Sequence, residues 1–281
     1  MTLPPEALPA ATVVLLQDQE GSGPPSVFFV QRHRKSGFMP NAFVFPGGRV
    51  DEADRERRLV ERTDIADADA LLNRMAGLTS SEAVIGHIAA AVRETFEEAG
   101  VLLATLHGEP LPSSNEAPEL WDRLDQWRAK INAGQARFID LLEQENLRLD
   151  GSALQYFAHW ITPNRERRRY DTRFFVARAP IGQRYRHDDI EVTDSLWLSA
   201  EDALERYHAT TEFFLAPPTW SVLRDIRPFG DAAAVMGWAG GLDPVMTVQP
   251  EMIVASGGVT LNLSSQRRIV MNRGHWSLEE R

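Results

Sequence analysis

Between Thr79 and Gly100 the chain is committed to a helix, and that helix must carry Glu94, Glu97 and Glu98 within five positions. Thr79-Ser80-Ser81-Glu82 has the capping-box pattern, with Thr79 as the cap and Glu82 reaching back. Gly100 supplies the left-handed residue on which helices commonly end. The spacing therefore predicts a helix from about Ser80 to Ala99. With Ile85 at zero and about 100° per residue, Ile88, Val92, Phe96 and Ala99 form a stripe between roughly 300° and 20°, turned to a core. Glu94, Glu97 and Glu98 fall near roughly 180°, 120° and 220°, on the opposite face.

Positions i, i+3 and i+4 are neighbours on a helix. Three carboxylates so placed converge on one patch and repel by roughly a few tenths of a kcal/mol per pair. A solvated helix face normally interleaves lysines, and none occurs between positions 90 and 104. A hard divalent cation, Mg²⁺ or Mn²⁺, turns the repulsion into coordination, because carboxylate oxygens suit such ions. Upstream, FPGGRVDEAD (45–54) ends a strand in a tight glycine turn, where the backbone can approach a ligand or metal closely.

The rest of the chain supplies a mixed sheet. ATVVLL (11–16), SVFFVQRH (26–33) and NAFVFPGG (41–48) read as strands, the first two as a hairpin. LQYFAHWITP (154–163), DTRFFVARAP (171–180) and EVTDSLWLS (191–199) read as three more, followed by a helix over 199–209 capped by Ser199. Residues 55–80 and 105–150 read as helical insertions. EMIVASGGVTLNLS (251–264) reads as a β-hairpin with a Gly-Gly turn. The expected fold is α+β, a mixed sheet sandwiched between helices. Residues 8–225 form the main domain and 226–281 a C-terminal extension. Trp121, Trp160 and Trp197 are read as core.

Composition removes several function classes. The chain of 281 residues has a net charge of −10, which disfavours binding to a nucleic acid polymer. It has no cysteine, so disulfides, thiolate zinc sites and cysteine nucleophiles are excluded. No apolar run reaches the ~20 residues that span a bilayer, and MTLPPEALPA lacks the pattern of a signal peptide. The expectation is a cytoplasmic enzyme with no membrane partner, with a homodimer as the default assembly.

Strand, PGG turn, acidic residues and a helix with R-E-x-x-E-E-x-G resemble the Nudix hydrolase family, whose box is G-x5-E-x7-R-E-U-x-E-E-x-G-U. Arg93, Glu94, Thr95, Phe96, Glu97, Glu98, Ala99, Gly100 and Val101 match its second half. The first half starts at Gly48, and Asp54 stands where the family has Glu. Asp54 and Arg93 are 39 positions apart (93 − 54) where the family has eight, an insertion of 31. The interrupted box is similar to the acyl-coenzyme A diphosphatase branch, both its peroxisomal type and its bacterial relatives. FMPNAFVFPGGRVD, WITP, RRYDTRFFVA and WLSAEDAL share that likeness. Related coenzyme A pyrophosphatases carry an arginine fourteen positions before the proline of PGG, where this chain has Arg32. They carry a histidine seven before it, where this chain has Met39.

The resemblance implies metal-dependent hydrolysis of a nucleoside diphosphate linked to another moiety, with coenzyme A or acyl-coenzyme A as the leading substrate. Glu94, Glu97 and Glu98 hold Mg²⁺ or Mn²⁺, aided by a carbonyl of Gly47 or Gly48. Glu94 or Glu98 is the candidate general base, with Asp189 and Glu191 as the distant-loop alternative. Arg93 lies about 90° from the carboxylate centre and is read as orienting a glutamate. NRERRRYDTRFF (164–175) is read either as a solvated edge strand or as a phosphate clamp, since arginine forks match phosphate. On a strand Arg167, Arg169 and Arg173 share one face and Arg168 opposes them. Arg32, Arg168, Arg169 and Arg173 are thus the candidate substrate ligands. The helical region 115–149 is read as packing, with a lid or an acyl-chain seat as the alternative. ADP-ribose or dinucleotide hydrolysis, and a non-catalytic nucleotide sensor, are the rival functions.

Overall fold

The computed structural model describes residues 4–19, 23–186, 192–255, 258–272 and 274–280. The chain begins with strands β1 (Leu8–Gln17), β2 (Ser26–Arg32), β3 (Phe43–Val44) and β4 (Gly47–Arg49). A 3-10 turn over Glu52–Arg55 leads to α1 (Arg57–Val60), β5 (Thr63–Asp64), α2 (Ala68–Arg74) and the long helix α3 (Ser81–Ala99). Next come β6 (Ala104–Leu106), β7 (Glu109–Pro110), α4 (Pro118–Asn132), α5 (Phe138–Gln144) and β8 (Leu147–Asp150). The domain continues through β9 (Gln155–Ile161), β10 (Tyr170–Arg178), β11 (Val192–Ser199), α6 (Ala200–Ala209), α7 (Pro217–Ile226) and α8 (Ala232–Gly241). It ends with β12 (Thr247–Val248), β13 (Glu251–Ala255), β14 (Gly258–Asn262), β15 (Arg267–Asn272) and β16 (His275–Glu280).

The main sheet has the order β11-β2-β1-β10-β9-β12, with β3 on β2 and β4 on β1. Its centre is a parallel pair, Leu8–Leu16 of β1 against Tyr170–Arg178 of β10. Both faces of this pair are covered. Val13, Leu15, Phe175 and Ala177 pack in the core on the α3 side. Val14, Leu16, Phe174 and Val176 pack on the other side with α6, α7 and α8. Burial on both faces is why ATVVLL is continuously apolar rather than alternating.

The 56–80 and 105–150 segments are not separate appendages. β5 pairs with β8 (Thr63 opposite Leu149), β8 with β6, and β6 with β7, so the two segments share a second sheet. This unit packs against α3. Trp121, Leu124, Leu141 and Leu142 belong to the same core as Ile88 and Phe96. Arg128 Nε and Asn132 Nδ2 donate to the Glu97 carbonyl at 2.9 and 3.2 Å.

Helix α3 is therefore buried almost all round, on the face that carries the glutamates as well as along its apolar stripe. Glu98 is only 4% exposed, while Glu94 and Glu97 are half-buried. Ser80, not Thr79, is the cap, and its Oγ accepts from Ala83 N at 3.2 Å. Gly100 ends the helix at φ 72°, as expected. A second correction concerns the arginines. The strand β10 begins only at Tyr170, so Arg167, Arg168 and Arg169 sit in the connection from β9 and share no strand face with Arg173. The expected hairpin is the first half of a four-stranded antiparallel meander, β13-β14-β15-β16, and β12 joins the main sheet beside β9. The two turn residues Ser256 and Gly257 lie outside the described residues.

Two stability tests follow from α3. Gly100→Ala forces a left-handed backbone on a residue with a side chain, at a cost of about 1–2 kcal/mol. Its Cβ would also lie 3.1 Å from Arg128 Nη1 and from the Arg184 carbonyl. Urea unfolding should show the loss as a lower midpoint with an unchanged slope; an unaltered midpoint removes the capping argument. His87, fully buried, donates from Nδ1 to the Ala83 carbonyl at 2.8 Å. Burial pushes its pKa down to about 4; the Ala83 hydrogen bond opposes this, and the charges of Arg173 and Arg55 reinforce it. The imidazole is thus neutral in the fold and protonated first in the unfolded chain. Its contribution is complete above pH ~6.5 and disappears as the pH falls towards 4, by up to about 3 kcal/mol. His87→Gln should flatten the pH dependence of the unfolding free energy between pH 6.5 and 4.5, and an equally steep profile would show that other groups govern it.

Candidate active site

The glycine turn determines where the carboxylates go. Pro46 interrupts pairing between β3 and β4, and Gly47 and Gly48 then pair with Thr12 and Ala11 of β1. A Cβ on Gly47 would lie 2.4 Å from the Ala11 carbonyl oxygen. A Cβ on Gly48 would lie 2.4 Å from the Glu94 carboxylate, so the missing side chain is the space that carboxylate fills. Gly47 N donates to Glu98 Oε2 at 2.9 Å.

Arg93 is 9% exposed and joins three parts of the chain. Its Nε and Nη2 donate to Asp54 Oδ1 and Oδ2 at 2.8 and 2.9 Å, a bidentate pair. Nη2 also donates to the Arg49 carbonyl at 3.0 Å. Nη1 reaches Glu94 Oε1 at 2.8 Å and Glu97 Oε1 at 3.4 Å. Burial lowers the guanidinium pKa, but the Asp54 hydrogen bonds and the charges of Glu94, Asp54 and Glu97 outweigh it and raise the value. Arg93 therefore stays charged and holds two of the three glutamates, as its expected orienting part requires.

Asp54, to which the sequence assigned no part because it replaces a glutamate and stands before a long insertion, is the buried partner of that charge. It is 1% exposed, and its Oδ2 accepts from Asp51 N at 2.8 Å. The 3-10 turn Glu52–Arg55 brings it back to α3 despite the intervening residues.

Apart from the buried Asp54, these groups line a cleft of about 620 Å³. Its floor is the face of the main sheet turned away from α3, with Thr12, Thr172, Phe174 and Trp160. Glu94, Glu97, Glu98, Arg93 and Gly48 form one part of the wall. Phe38 and Met39, from the loop after β2, form another, and Phe38 packs edge-on against Tyr170 at 5.2 Å. Trp121 is fully buried as expected, Trp197 half-buried, and Trp160 serves both core and cleft.

The four candidate substrate arginines separate. Arg32 lines the cleft, and there it donates to Ser36 Oγ and to the Phe38 carbonyl, bracing the loop that carries Phe38 and Met39. Arg168 is exposed, lies against Gly37 and does not line the cleft. Arg169 donates to the carbonyls of Thr162 and Pro5 and ties the N-terminal segment to the β9–β10 connection. Arg173 is 1% exposed on the α3 side of β10, paired with Asp171 at 2.9 Å and donating to the Ala76 carbonyl. Arg169 and Arg173 are thus structural cations. Arg49, missed in the sequence, lines the cleft with a largely exposed side chain. None of residues 105–150 lines it, which leaves packing as the part played by that region. Asp189 and Glu191 lie outside the described residues.

The donor set suits a hard divalent cation. Three carboxylates line one cleft beside a glycine turn that a Cβ would fill. Among the described residues no three acidic or imidazole side chains are gathered as a ready-made cage. Glu94 and Glu97 are drawn to Arg93 and Glu98 to Gly47 N, so the convergence expected from the helix spacing is sorted by these partners.

The chain is similar to known proteins over most of its length. The family model described as the NUDT19 Nudix domain matches residues 8–226. A Gallus gallus protein named acyl-coenzyme A diphosphatase NUDT19 is 32% identical over 277 residues, covering 81% of this chain and 72% of the relative. The Homo sapiens protein of that name is 31% identical over 230 residues; the match covers 72% of this chain but only 60% of the human protein. A crystal structure of a Nudix hydrolase from Alicyclobacillus acidocaldarius superimposes with a TM-score of 0.61 at 25% identity, over 83% of this chain and 96% of the other.

Asp54→Ala leaves the Arg93 charge buried without its bidentate partner. Removing one member of a buried pair costs about 3–5 kcal/mol, and the remaining Glu94 contact puts the expected loss at the lower end. Denaturant unfolding should show it, and a loss below about 1 kcal/mol would mean that Glu94 and Glu97 alone neutralise Arg93.

Proposed function

The chain belongs to the Nudix hydrolase family represented by the NUDT19 Nudix domain, and on that premise we propose that it cleaves the pyrophosphate of coenzyme A or an acyl-coenzyme A. The products are 3′,5′-ADP and the corresponding phosphopantetheine. The observation that carries this reading is a single cleft in which the Arg93-held carboxylates face a long apolar wall. Such a cleft suits a substrate with a charged diphosphate and a long, less polar arm. Its volume lies in the usual range for small-molecule sites, about 300–1,000 Å³.

Nudix hydrolases as a family need a divalent metal; here Glu94, Glu97 and Glu98 would hold Mg²⁺ or Mn²⁺. The metal supplies charge neutralisation for the phosphate oxygens and an acidified water. The protein's own groups perform the remaining work. A water oxygen bonds to one phosphorus, the bridging P–O bond breaks, and the departing phosphate takes the electron pair. Glu94 and Glu98 are the two carboxylates fitted to accept the water proton. Gly47 N fixes Glu98, and Arg93 fixes Glu94 while offsetting the mutual repulsion of the three acids. Arg32 and Arg49, both on the cleft wall, are the cations fitted to meet phosphate oxygens. Among the described residues no helix is long and apolar enough to cross a membrane.

The test is turnover of a panel with Mg²⁺ or Mn²⁺: coenzyme A, acyl-coenzyme A, ADP-ribose, NADH and nucleoside triphosphates. Glu98→Gln should lose about 10²–10⁴-fold in kcat. Production of 3′,5′-ADP by the wild type, abolished in the variant, supports the proposal. Preferential cleavage of ADP-ribose or NADH replaces the substrate assignment, and tight binding with no turnover of any compound favours a nucleotide sensor.

A further inference from the structure

The family match ends at residue 226, yet the cleft does not. Part of its wall is contributed by β13–β16. The register of this meander sets Met252 opposite Leu261, Leu261 opposite Ile269 and Ile269 opposite Leu278. Val254 stands opposite Val259, and Met271 opposite Trp276. Because side chains alternate along a strand, these residues share one face. The other face is mainly polar, carrying Thr260, Asn262, Arg268, Asn272 and Ser277 with Ile253 and Val270 among them.

The apolar face is divided. Leu261, Ile269 and Trp276 are buried in the core on the α6–α7 side. Trp276 anchors it: its backbone N donates to the Tyr207 hydroxyl at 2.6 Å and its Nε1 to the Leu215 carbonyl at 3.2 Å. Met252, Val259 and Met271 are only half-buried, and they line the cleft together with the buried Leu261 and Trp276. A face needed solely for docking would be covered throughout. Here Val254 is exposed away from the cleft, while Met252, Val259 and Met271 are turned to the same space as Glu94 and Gly48, next to Trp160, Phe174 and Phe214. Among the described residues the sheet contributes no cation to the cleft.

We propose that the apolar face of the C-terminal sheet is the subsite for the acyl chain of an acyl-coenzyme A, so that β13–β16 set chain-length preference. This rests on the pyrophosphatase reading above and adds which element selects the substrate. The occupant is argued from continuity: a diphosphate held at the carboxylates leaves the rest of the molecule in the same cleft, where an alkyl chain finds unbranched, adaptable methionines. Each methylene that leaves water for such a wall improves binding about four-fold.

The experiment is kcat/KM across free, acetyl-, octanoyl- and dodecanoyl-coenzyme A for the intact chain. The value should rise with chain length until the cleft is filled. Met271→Gln and Met252→Gln keep side-chain length but place an amide on the wall, and each should lower the dodecanoyl-to-acetyl ratio at least about ten-fold. Thr260→Ala, on the polar face, should keep the wild-type ratio. Met252 lies on the sheet's edge strand, so its variant serves if Met271→Gln does not fold. A flat wild-type profile, or a ratio unmoved in the folded variants, overturns the subsite while coenzyme A cleavage stands. Failure to cut any of the four compounds overturns both the substrate reading and the subsite.

Discussion

The bidentate bond between Arg93 and Asp54 is the constraint on which the site depends. One buried guanidinium meets Asp54, Glu94, Glu97 and the Arg49 carbonyl. It thereby locks the 3-10 turn, the glycine strand and the long helix in one relation. Burying three glutamates beside one another is unfavourable unless cations and backbone donors meet them. Arg93 supplies the charge and Gly47 N the donor. The small residues follow from the same requirement, since Gly48 must be glycine for the Glu94 carboxylate to lie against the backbone.

Much of this was legible in the sequence because it is local. The apolar, β-branched and aromatic runs ATVVLL and SVFFVQRH, the Ser199 cap and the Gly100 stop follow from short-range rules, and these strands and helix ends stand where those rules put them. The glutamates and the glycine turn were legible for the same reason, being a spacing on one helix and a dipeptide at one strand end. What failed was longer in range. A helical wheel ranks faces by their own residues, so it could not show that the Gly47–Gly48 turn and the Arg93 guanidinium pack against the carboxylates. The arginines of NRERRRYDTRFF were equally ambiguous. A run of cations reads alike whether it meets a phosphate or, as Arg169 and Arg173 do, carbonyls and Asp171 inside the fold.

The C-terminal segment shows a third kind of gap. Its apolar residues alternate as strand residues should, and half of the sheet was visible as a hairpin. Nothing local reveals where such a sheet docks. Its position depends on Trp276 reaching Tyr207 and Leu215, residues in elements far back along the chain. The cleft is thus assembled from three sources: the glutamate helix with its glycine turn, the sheet floor beneath it, and a wall delivered from beyond the family-matched region.

The parallel pairing of β1 with β10 has a consequence for how the molecule comes into being. Leu8 pairs with Tyr170, 162 positions later (170 − 8), and Thr12 of the cleft floor pairs with Phe174. Contacts of such separation form slowly, since a long loop must close before they gain anything. During synthesis, β1 therefore emerges without its central neighbour and waits while most of the domain is made. The glutamate helix has left the ribosome well before its floor exists, and the apolar wall arrives last of all. For a nascent chain the cleft is the final product of folding, so truncation near the C-terminus removes its apolar wall before it touches the glutamate helix.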